Sequence, residues 1–262
     1  MKRFDAIAFD LDGTLVDSAG GVAHALNAAL AEIGLPGFAL EAVRGWIGDG
    51  PDALIARALA TPQLANVNTY ELAARLRRGF DAATLRAPMA GSAVFDGIHA
   101  TVVELTEQRP LVVVTNKPTM LARAVLQEAG LLQFFEAVQG ADTPLQRKPS
   151  PLMLRQVAHA IGVVPARVLM VGDGGVDIAA ALAAGSRAAW AGWGYGQMPA
   201  QAPADVWQLA TPHELLLHLA MPAGAPTPNT DSRRSPCPPE ESPRSPSSSS
   251  RNAAAIPVPP AT

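Results

Sequence analysis

The chain has 262 residues, of which 48% are hydrophobic and 16% are charged, and its formal net charge is −3. This length is enough for a large core in one domain with an insertion, or for two modest domains. The lack of a basic excess argues against a nucleic-acid partner, and no uninterrupted apolar stretch reaches the roughly 18 residues of a membrane span. The single cysteine, Cys237, excludes an internal disulfide framework and fits a reducing, cytoplasmic compartment.

The first predicted element is a buried strand that ends in two carboxylates. Residues 6–9 (AIAF) form a short apolar run, typical of a parallel sheet, and Asp10 and Asp12 follow at its carboxyl end. Because residues i and i+2 of a strand point to the same side, the two carboxylates are expected to converge, which favours a divalent cation between them or a shifted pKa. On this fragment alone the alternative is a polar loop, in which Asp12 and Gly13 form a turn and Asp10 caps a helix.

The following segment, residues 17–88, is predicted to be entirely helical. Apolar residues recur in it at helical spacing, and Gly34 supplies a stop signal after the first helix. These residues are Val22, Leu26, Leu30 and Ile33, and then Leu72, Leu76 and Phe80. We therefore expect an all-helical insertion after the first strand.

Beyond this segment, short apolar runs alternate with helical stretches. The predicted strands are LVVVT (111–115), FEAVQG (135–140), VLMV (168–171) and RAAWA (187–191). Strands that alternate with helices of this length indicate right-handed crossovers and a parallel sheet. The sequence thus predicts an α/β fold that carries a helical insertion.

Polar residues follow several of these strands. Thr115 ends one strand, Asp173 follows another, and Lys148 precedes a predicted helix. Ligands of doubly wound sheets bind at the carboxyl ends of the strands, so these residues are expected to meet Asp10 and Asp12 despite their separation in sequence. Three carboxylates, a hydroxyl and a lysine suit a divalent cation together with a phosphate.

Four motifs in this order, DLDGT, VTNK, the lysine of KPSP, and GDGGVD, resemble those of the haloacid dehalogenase superfamily of phosphohydrolases. The resemblance covers about residues 4–220. It implies a Rossmann-like phosphatase core, residues 1–16 and 89–221, and a helical cap domain, residues 17–88. Gly174 stands where the family often has Ser, but no reacting group is lost.

The resemblance also implies roles for the residues in these motifs. Asp10 is the nucleophile, and Asp12 is the general acid and base. Thr115 and the backbone amide of Asn116 bind phosphate, while Lys148 holds nucleophile and phosphate together. The cofactor implied is Mg²⁺, with Asp10, Asp12 and Asp173 as its ligands. The reaction expected is hydrolysis of a phosphomonoester through an aspartyl-phosphate intermediate.

Two other classes of protein have part of this pattern. Haloacid dehalogenases proper lack an acid at the position of Asp12, because a halide leaving group needs no proton. A phospho-accepting receiver module also has an acidic pocket with a Thr and a Lys at strand ends, and it signals rather than turning over substrate. Receivers are about half this length and carry no helical insertion, so the enzyme is the stronger hypothesis.

Residues 43–59 (VRGWIGDGPDALIARAL), together with VTNKP and the WGYG of residues 193–196, resemble the phosphoglycolate phosphatase branch of that superfamily. This branch implies 2-phosphoglycolate as substrate, with Arg44 as a candidate partner for its carboxylate. The alternatives are another small sugar phosphate, or a phosphomutase that reuses the aspartyl phosphate. For Arg44 and for Lys117, an ordinary solvated side chain is the competing interpretation, and for Asp177 we expect a role in orienting water or Lys148.

The last segment, residues 222–262, has 11 prolines and 8 serines in 41 residues. Such a composition cannot bury enough apolar surface to offset its ordering entropy, so a disordered tail is predicted. The expected partner is a small phosphorylated metabolite, with no nucleic acid and no membrane, and the sequence does not distinguish a monomer from a homodimer.

Overall fold

The computed structural model describes residues 4–64 and 69–221. The predicted disordered tail, residues 222–262, lies outside the described residues. The strands are β1 (Ala6–Phe9), β2 (Val16–Asp17), β3 (Ala93–Val94), β4 (Leu111–Thr115), β5 (Ala137–Gly140), β6 (Val168–Gly172), β7 (Arg187–Ala191) and β8 (Trp207–Leu209). The helices are α1 (Ala19–Ala31), α2 (Leu40–Arg44), α3 (Pro51–Leu59), α4 (Thr69–Arg86), α5 (Ile98–Thr106), α6 (Thr119–Glu128), α7 (Leu152–Ala160), α8 (Gly175–Ala184) and α9 (Pro212–Ala220).

A six-stranded parallel sheet forms the centre of the core, with strand order β5-β4-β1-β6-β7-β8. Every residue of β1, β4 and β6 is buried, as expected for apolar strands that are covered by helices on both faces. The chain adds strands on one side of β1 and then crosses to the other side, so the strand order reverses at β1. The predicted α/β fold with a Rossmann-like parallel sheet is confirmed.

The helical insertion lies between the two strands of a small antiparallel ribbon, in which β2 pairs with β3. Helices α1 to α4 pack around a hydrophobic cluster that includes Leu26, Leu30, Leu54 and Leu76, and Leu121 of α6 also contributes to it. The helices between the ribbon strands thus bury an apolar face of their own. The assignment of residues 17–88 as a separate cap domain stays a prediction.

Two features of the sheet were not predicted. Strand β8 has only three residues, and each strand of the β2–β3 ribbon has two, so none shows a measurable alternation of apolar and polar residues. Strand β5 begins at Ala137, two residues after the predicted start.

In the described part of the chain, no helix is both long enough and apolar enough to cross a bilayer.

Candidate active site

The predicted site residues meet at the carboxyl end of the sheet, around its central strand. Asp10 follows β1, Thr115 ends β4, and Asp173 follows β6. Strands β4 and β6 flank β1 on its two sides, which brings Thr115 and Asp173 next to Asp10 although each lies more than a hundred positions from it in the sequence. This edge is the switch point at which doubly wound sheets bind ligands.

Lys148 is fully buried beneath this edge and has two carboxylate partners. Its Nζ lies 2.9 Å from Asp10 Oδ1 and 2.6 Å from Asp177 Oδ1, and it donates a hydrogen bond to the carbonyl oxygen of Val114 at 3.0 Å. Burial acts to lower the pKa of Lys148, but the charges of Asp10 and Asp177 outweigh it, so the pKa is raised. Lys148 therefore remains a fixed positive charge beside Asp10.

Asp10 has a perturbed carboxyl group. Burial is the largest cause, and together with the neighbouring charges of Asp177 and Asp12 it outweighs the attraction of Lys148 and raises the pKa to about 6. The pKa of Asp177 is also raised, again chiefly by burial and against the effect of Lys148. Burial thus disfavours the charged forms of both carboxyl groups in spite of Lys148, and an added cation would favour those charged forms.

Asp173 is oriented by hydrogen bonds from two directions. Its Oδ2 accepts the backbone N–H groups of Tyr195 at 2.8 Å and Gly196 at 3.0 Å, and its Oδ1 accepts the hydroxyl of Thr14 at 3.2 Å. Burial, followed by the charge of Asp10, raises the pKa of Asp173, and these hydrogen bonds oppose that shift. Thr14 and Tyr195 belong to quoted sequence motifs, but their contacts with Asp173 were not predicted.

The carboxylates of Asp10, Asp173 and Asp177 offer oxygen atoms that all lie within 4.8 Å of one another. Grouped carboxylate oxygens are the donors that Mg²⁺ prefers, so the residues present fit this metal. Both oxygens of Asp177 already have partners, because Oδ2 accepts the N–H of Gly174 at 3.0 Å while Oδ1 contacts Lys148. The oxygens of Asp173 are occupied by hydrogen bonds in the same way, so these contacts do not rank the three carboxylates. The roles of Asp10 and Asp173 as Mg²⁺ ligands and of Asp177 in orienting Lys148 stay predictions.

Asp12 faces a different partner from the one expected. Its two carboxylate oxygens lie 2.9 and 2.8 Å from Nζ of Lys117, and they lie outside the group of three carboxylates that could hold a metal. The side chain of Lys117 is only 6% exposed. The interpretation of Lys117 as an ordinary solvated lysine is therefore wrong, and the role of Asp12 as a metal ligand stays a prediction.

Asn116 was expected to act through its backbone amide, but its side chain connects two parts of the molecule. Nδ2 donates to the carbonyl of Gly48 in the helical insertion at 2.9 Å, and Oδ1 accepts the backbone N–H of Lys148 at 2.8 Å. Thr115 is buried, and its Oγ1 accepts the N–H of Lys117 at 3.3 Å. The binding of phosphate by Thr115 and Asn116 stays a prediction.

Two neighbouring cavities open onto these residues. The first contains about 400 Å³ of space, part of it continuous with solvent, and it lies between the strand ends and the insertion residues Gly48, Pro51 and Phe80. The second adjoins Asp173 and includes Arg44, which is about half exposed, lies 3.9 Å from Asp17 and packs over the ring of Tyr195. Core and insertion therefore contribute jointly to the walls of the site.

The carboxyl ends of the parallel strands carry buried carboxylates, a buried lysine and a hydroxyl. This arrangement is typical of α/β enzymes that bind phosphate and a divalent cation. Residues 4–185 match the family model described as haloacid dehalogenase-like hydrolase. The match spans more than half of the chain, which therefore belongs to the haloacid dehalogenase-like hydrolases.

Relatives with a curated description narrow this assignment. A phosphoglycolate phosphatase from Photorhabdus laumondii is 37% identical over 196 residues, which cover 74% of this chain and 83% of the relative. One from Rhodospirillum rubrum is 40% identical over 198 residues, covering 74% and 82%. The crystal structure of a predicted phosphoglycolate phosphatase from Haemophilus somnus has a TM-score of 0.76 at 32% identity and covers 83% of this chain and 99% of its own. The chain is a hydrolase of the phosphatase type.

Proposed function

We propose that this chain is a Mg²⁺-dependent phosphomonoester hydrolase that works through an aspartyl phosphate and converts 2-phosphoglycolate to glycolate and phosphate. The observation that carries the proposal is the buried group of Asp10, Lys148 and Asp173 with Asp12 beside it. The substrate is suggested by the curated relatives, which are phosphoglycolate phosphatases. We further propose a cytoplasmic location, which fits a chain with one cysteine.

The proposed reaction transfers the phosphoryl group twice, first to Asp10 and then to water. Asp10 attacks phosphorus, and Lys148 compensates negative charge while the phosphoryl group moves. Asp12 protonates the departing alkoxide and then removes a proton from the water that hydrolyses the aspartyl phosphate. Bound Mg²⁺, held by Asp10 and Asp173, would supply further neutralisation of the phosphate charge. In this proposal residues 17–88 act as a cap that covers the substrate.

The alternatives differ in product or in class. A phosphatase of another small sugar phosphate would use the same residues, and a phosphomutase would return the phosphoryl group to a second hydroxyl instead of to water. A receiver-like signalling module is disfavoured by the helical insertion and by the hydrolase family to which the chain belongs.

A panel of purified phosphomonoesters tests the proposal. With Mg²⁺ present, phosphate release is measured for 2-phosphoglycolate, several sugar phosphates and pyrophosphate, and kcat/KM ranks them. We expect 2-phosphoglycolate to be among the best substrates, and we expect D10N to lower kcat by several orders of magnitude, as for other covalent nucleophiles. A poor rank for 2-phosphoglycolate would reject the substrate while leaving the phosphatase chemistry intact, and near-normal turnover by folded D10N would reject the mechanism.

A further inference from the structure

Lys117 is a buried cation to which the proposed mechanism gives no task. It comes two residues after Thr115, the last residue of β4, and its ammonium contacts both carboxylate oxygens of Asp12. A lysine near a surface normally extends its ammonium into water. Here the side chain turns inward to the first cavity and is 6% exposed, so its position reflects a specific electrostatic partner.

Among the described residues that line the first cavity, Lys117 is the only cation. The rest of the lining consists of the carboxylates Asp10 and Asp12, small polar residues of the core, and mainly apolar residues of the insertion. Arg44, the other candidate partner for a substrate carboxylate, borders the second cavity and is already close to Asp17 and the ring of Tyr195. A second negative group on a substrate in the first cavity would therefore meet Lys117.

The contact between Lys117 and Asp12 conflicts with the task of Asp12. A general acid must direct its proton-bearing oxygen at the leaving group, within hydrogen-bond distance. Both oxygens of Asp12 instead lie within 2.9 Å of the ammonium. An uncharged alcohol group offers the ammonium no comparable partner, whereas a carboxylate does.

We propose that Lys117 selects phosphomonoesters that carry a carboxylate beside the ester carbon. This carboxylate replaces Asp12 as the ion-pair partner of the Lys117 ammonium, and Asp12 then faces the ester oxygen. The inference rests on the proposed phosphatase function and deepens it by naming the feature of the substrate that the enzyme reads. In 2-phosphoglycolate the carboxylate carbon is two bonds from the ester oxygen. One substrate can therefore present its ester oxygen to Asp12 and its carboxylate to the neighbouring Lys117.

The proposed change in the hydrogen-bond partner of Lys117 is consistent with the bonds that form and break in the reaction. A bond forms between Asp10 and phosphorus while the bond from phosphorus to the ester oxygen breaks, and that oxygen keeps the electron pair and takes the proton of Asp12. Glycolate then leaves with its carboxylate, and water attacks phosphorus, breaks the bond to Asp10 and returns a proton to Asp12. Lys117 exchanges only hydrogen-bond partners, so no additional reactant is required.

The experiment compares two substrates that differ in the carboxylate alone. These are 2-phosphoglycolate and 2-hydroxyethyl phosphate, in which a hydroxymethyl group replaces it. We expect K117M to lower kcat/KM for 2-phosphoglycolate by about tenfold to a hundredfold, the range for hydrogen bonds to charged groups. For 2-hydroxyethyl phosphate we expect kcat/KM to stay the same or rise, because Asp12 is no longer held. A purely structural role of Lys117 would lower both values together.

R44M serves as the matched control, since it removes the cation that borders the second cavity. Equal losses for both substrates in K117M would overturn the inference, and so would a loss of the carboxylate preference in R44M but not in K117M. If K117M does not fold, as judged by its thermal transition, K117Q replaces it under the same criteria. If the wild-type enzyme and K117M both prefer 2-phosphoglycolate, only the inference about Lys117 is rejected. A wild type without the preference rejects the proposed substrate as well.

Discussion

At the scale of single residues, the burial of Asp10, the proposed nucleophile, also affects the stability of the protein. Its pKa in the folded chain is raised to about 6 from an ordinary value of 3.8, mainly by burial. The folded protein thus holds this proton more tightly than the unfolded chain does. The resulting contribution to the free energy of unfolding is fully present below pH 3.8 and is lost as the pH rises through about 6.

We therefore predict that D10N stabilises the protein when divalent metal is removed with a chelator. Near neutral pH its Tm should exceed that of the wild type, by about 2–4 °C for each kcal/mol gained, because the amide carries no charge in the buried site. The difference should shrink as the pH is lowered through about 6 towards 3.8. Thermal denaturation across this range is the measurement, with D96N, at an exposed aspartate, as the control. A lower Tm for D10N at neutral pH would mean that its attraction to Lys148 outweighs the cost of burial.

At the scale of elements, the loop after β7 supports Asp173 through close backbone contacts. A Cβ atom at Gly194 would lie 2.2 Å from the carbonyl oxygen of Gly13 and 2.3 Å from Cβ of Asp173. The next two residues, Tyr195 and Gly196, donate their N–H groups to the same carboxylate. The loop can hold Asp173 in this way only while residue 194 has no side chain.

We predict that G194A weakens the response to metal as well as lowering Tm. The added methyl group pushes the loop away from Asp173, and loss of such supporting contacts typically costs about tenfold to a hundredfold in metal affinity. The measurement is the Mg²⁺ concentration that gives half-maximal phosphate release. G130A is the control for a general loss of stability, because alanine is strained at the positive φ of 68° of Gly130 while the added Cβ meets nothing within 4 Å. An equal change in Mg²⁺ requirement for both variants would contradict the role of the loop.

The elements and the site differ in how far the sequence could predict them. The bounds predicted for β4 and β7 match the structure, and every residue of β4 is buried, so its apolar run is continuous. The convergence of Asp10, Thr115 and Asp173 was predictable because each lies in a short motif at the end of a strand. The pairing of Lys117 with Asp12 was not found, since it joins positions 105 residues apart and depends on which way each side chain turns. The same reason applies to the contact between Thr14 and Asp173.

At the scale of the whole molecule, the amino-acid composition of the chain changes near Met221, after which proline and serine are frequent. The residues assigned to the proposed chemistry all precede it, and α9 ends at Ala220. We predict that a chain ending at Met221 keeps its Tm and its phosphatase activity, because the segment after it has the composition of a solvated tail. Thermal denaturation and phosphate release of full-length and shortened chains are compared. A large loss in either would indicate that residues 222–262 contact the core.

The central place of β1 has a consequence for how the enzyme is made. Asp10 is translated before β4 and β6, but β1 pairs with both of these strands, for example Ile7 with Leu111 and with Leu169. Such pairings between distant segments close large loops and form slowly. The surroundings of Asp10, the proposed nucleophile, are thus completed late, because β4 begins only at Leu111 and β6, which Asp173 follows, begins at Val168. A chain that ends before β6 therefore lacks Asp173 and one of the two strands beside Asp10, so the proposed site forms only after synthesis has passed this strand.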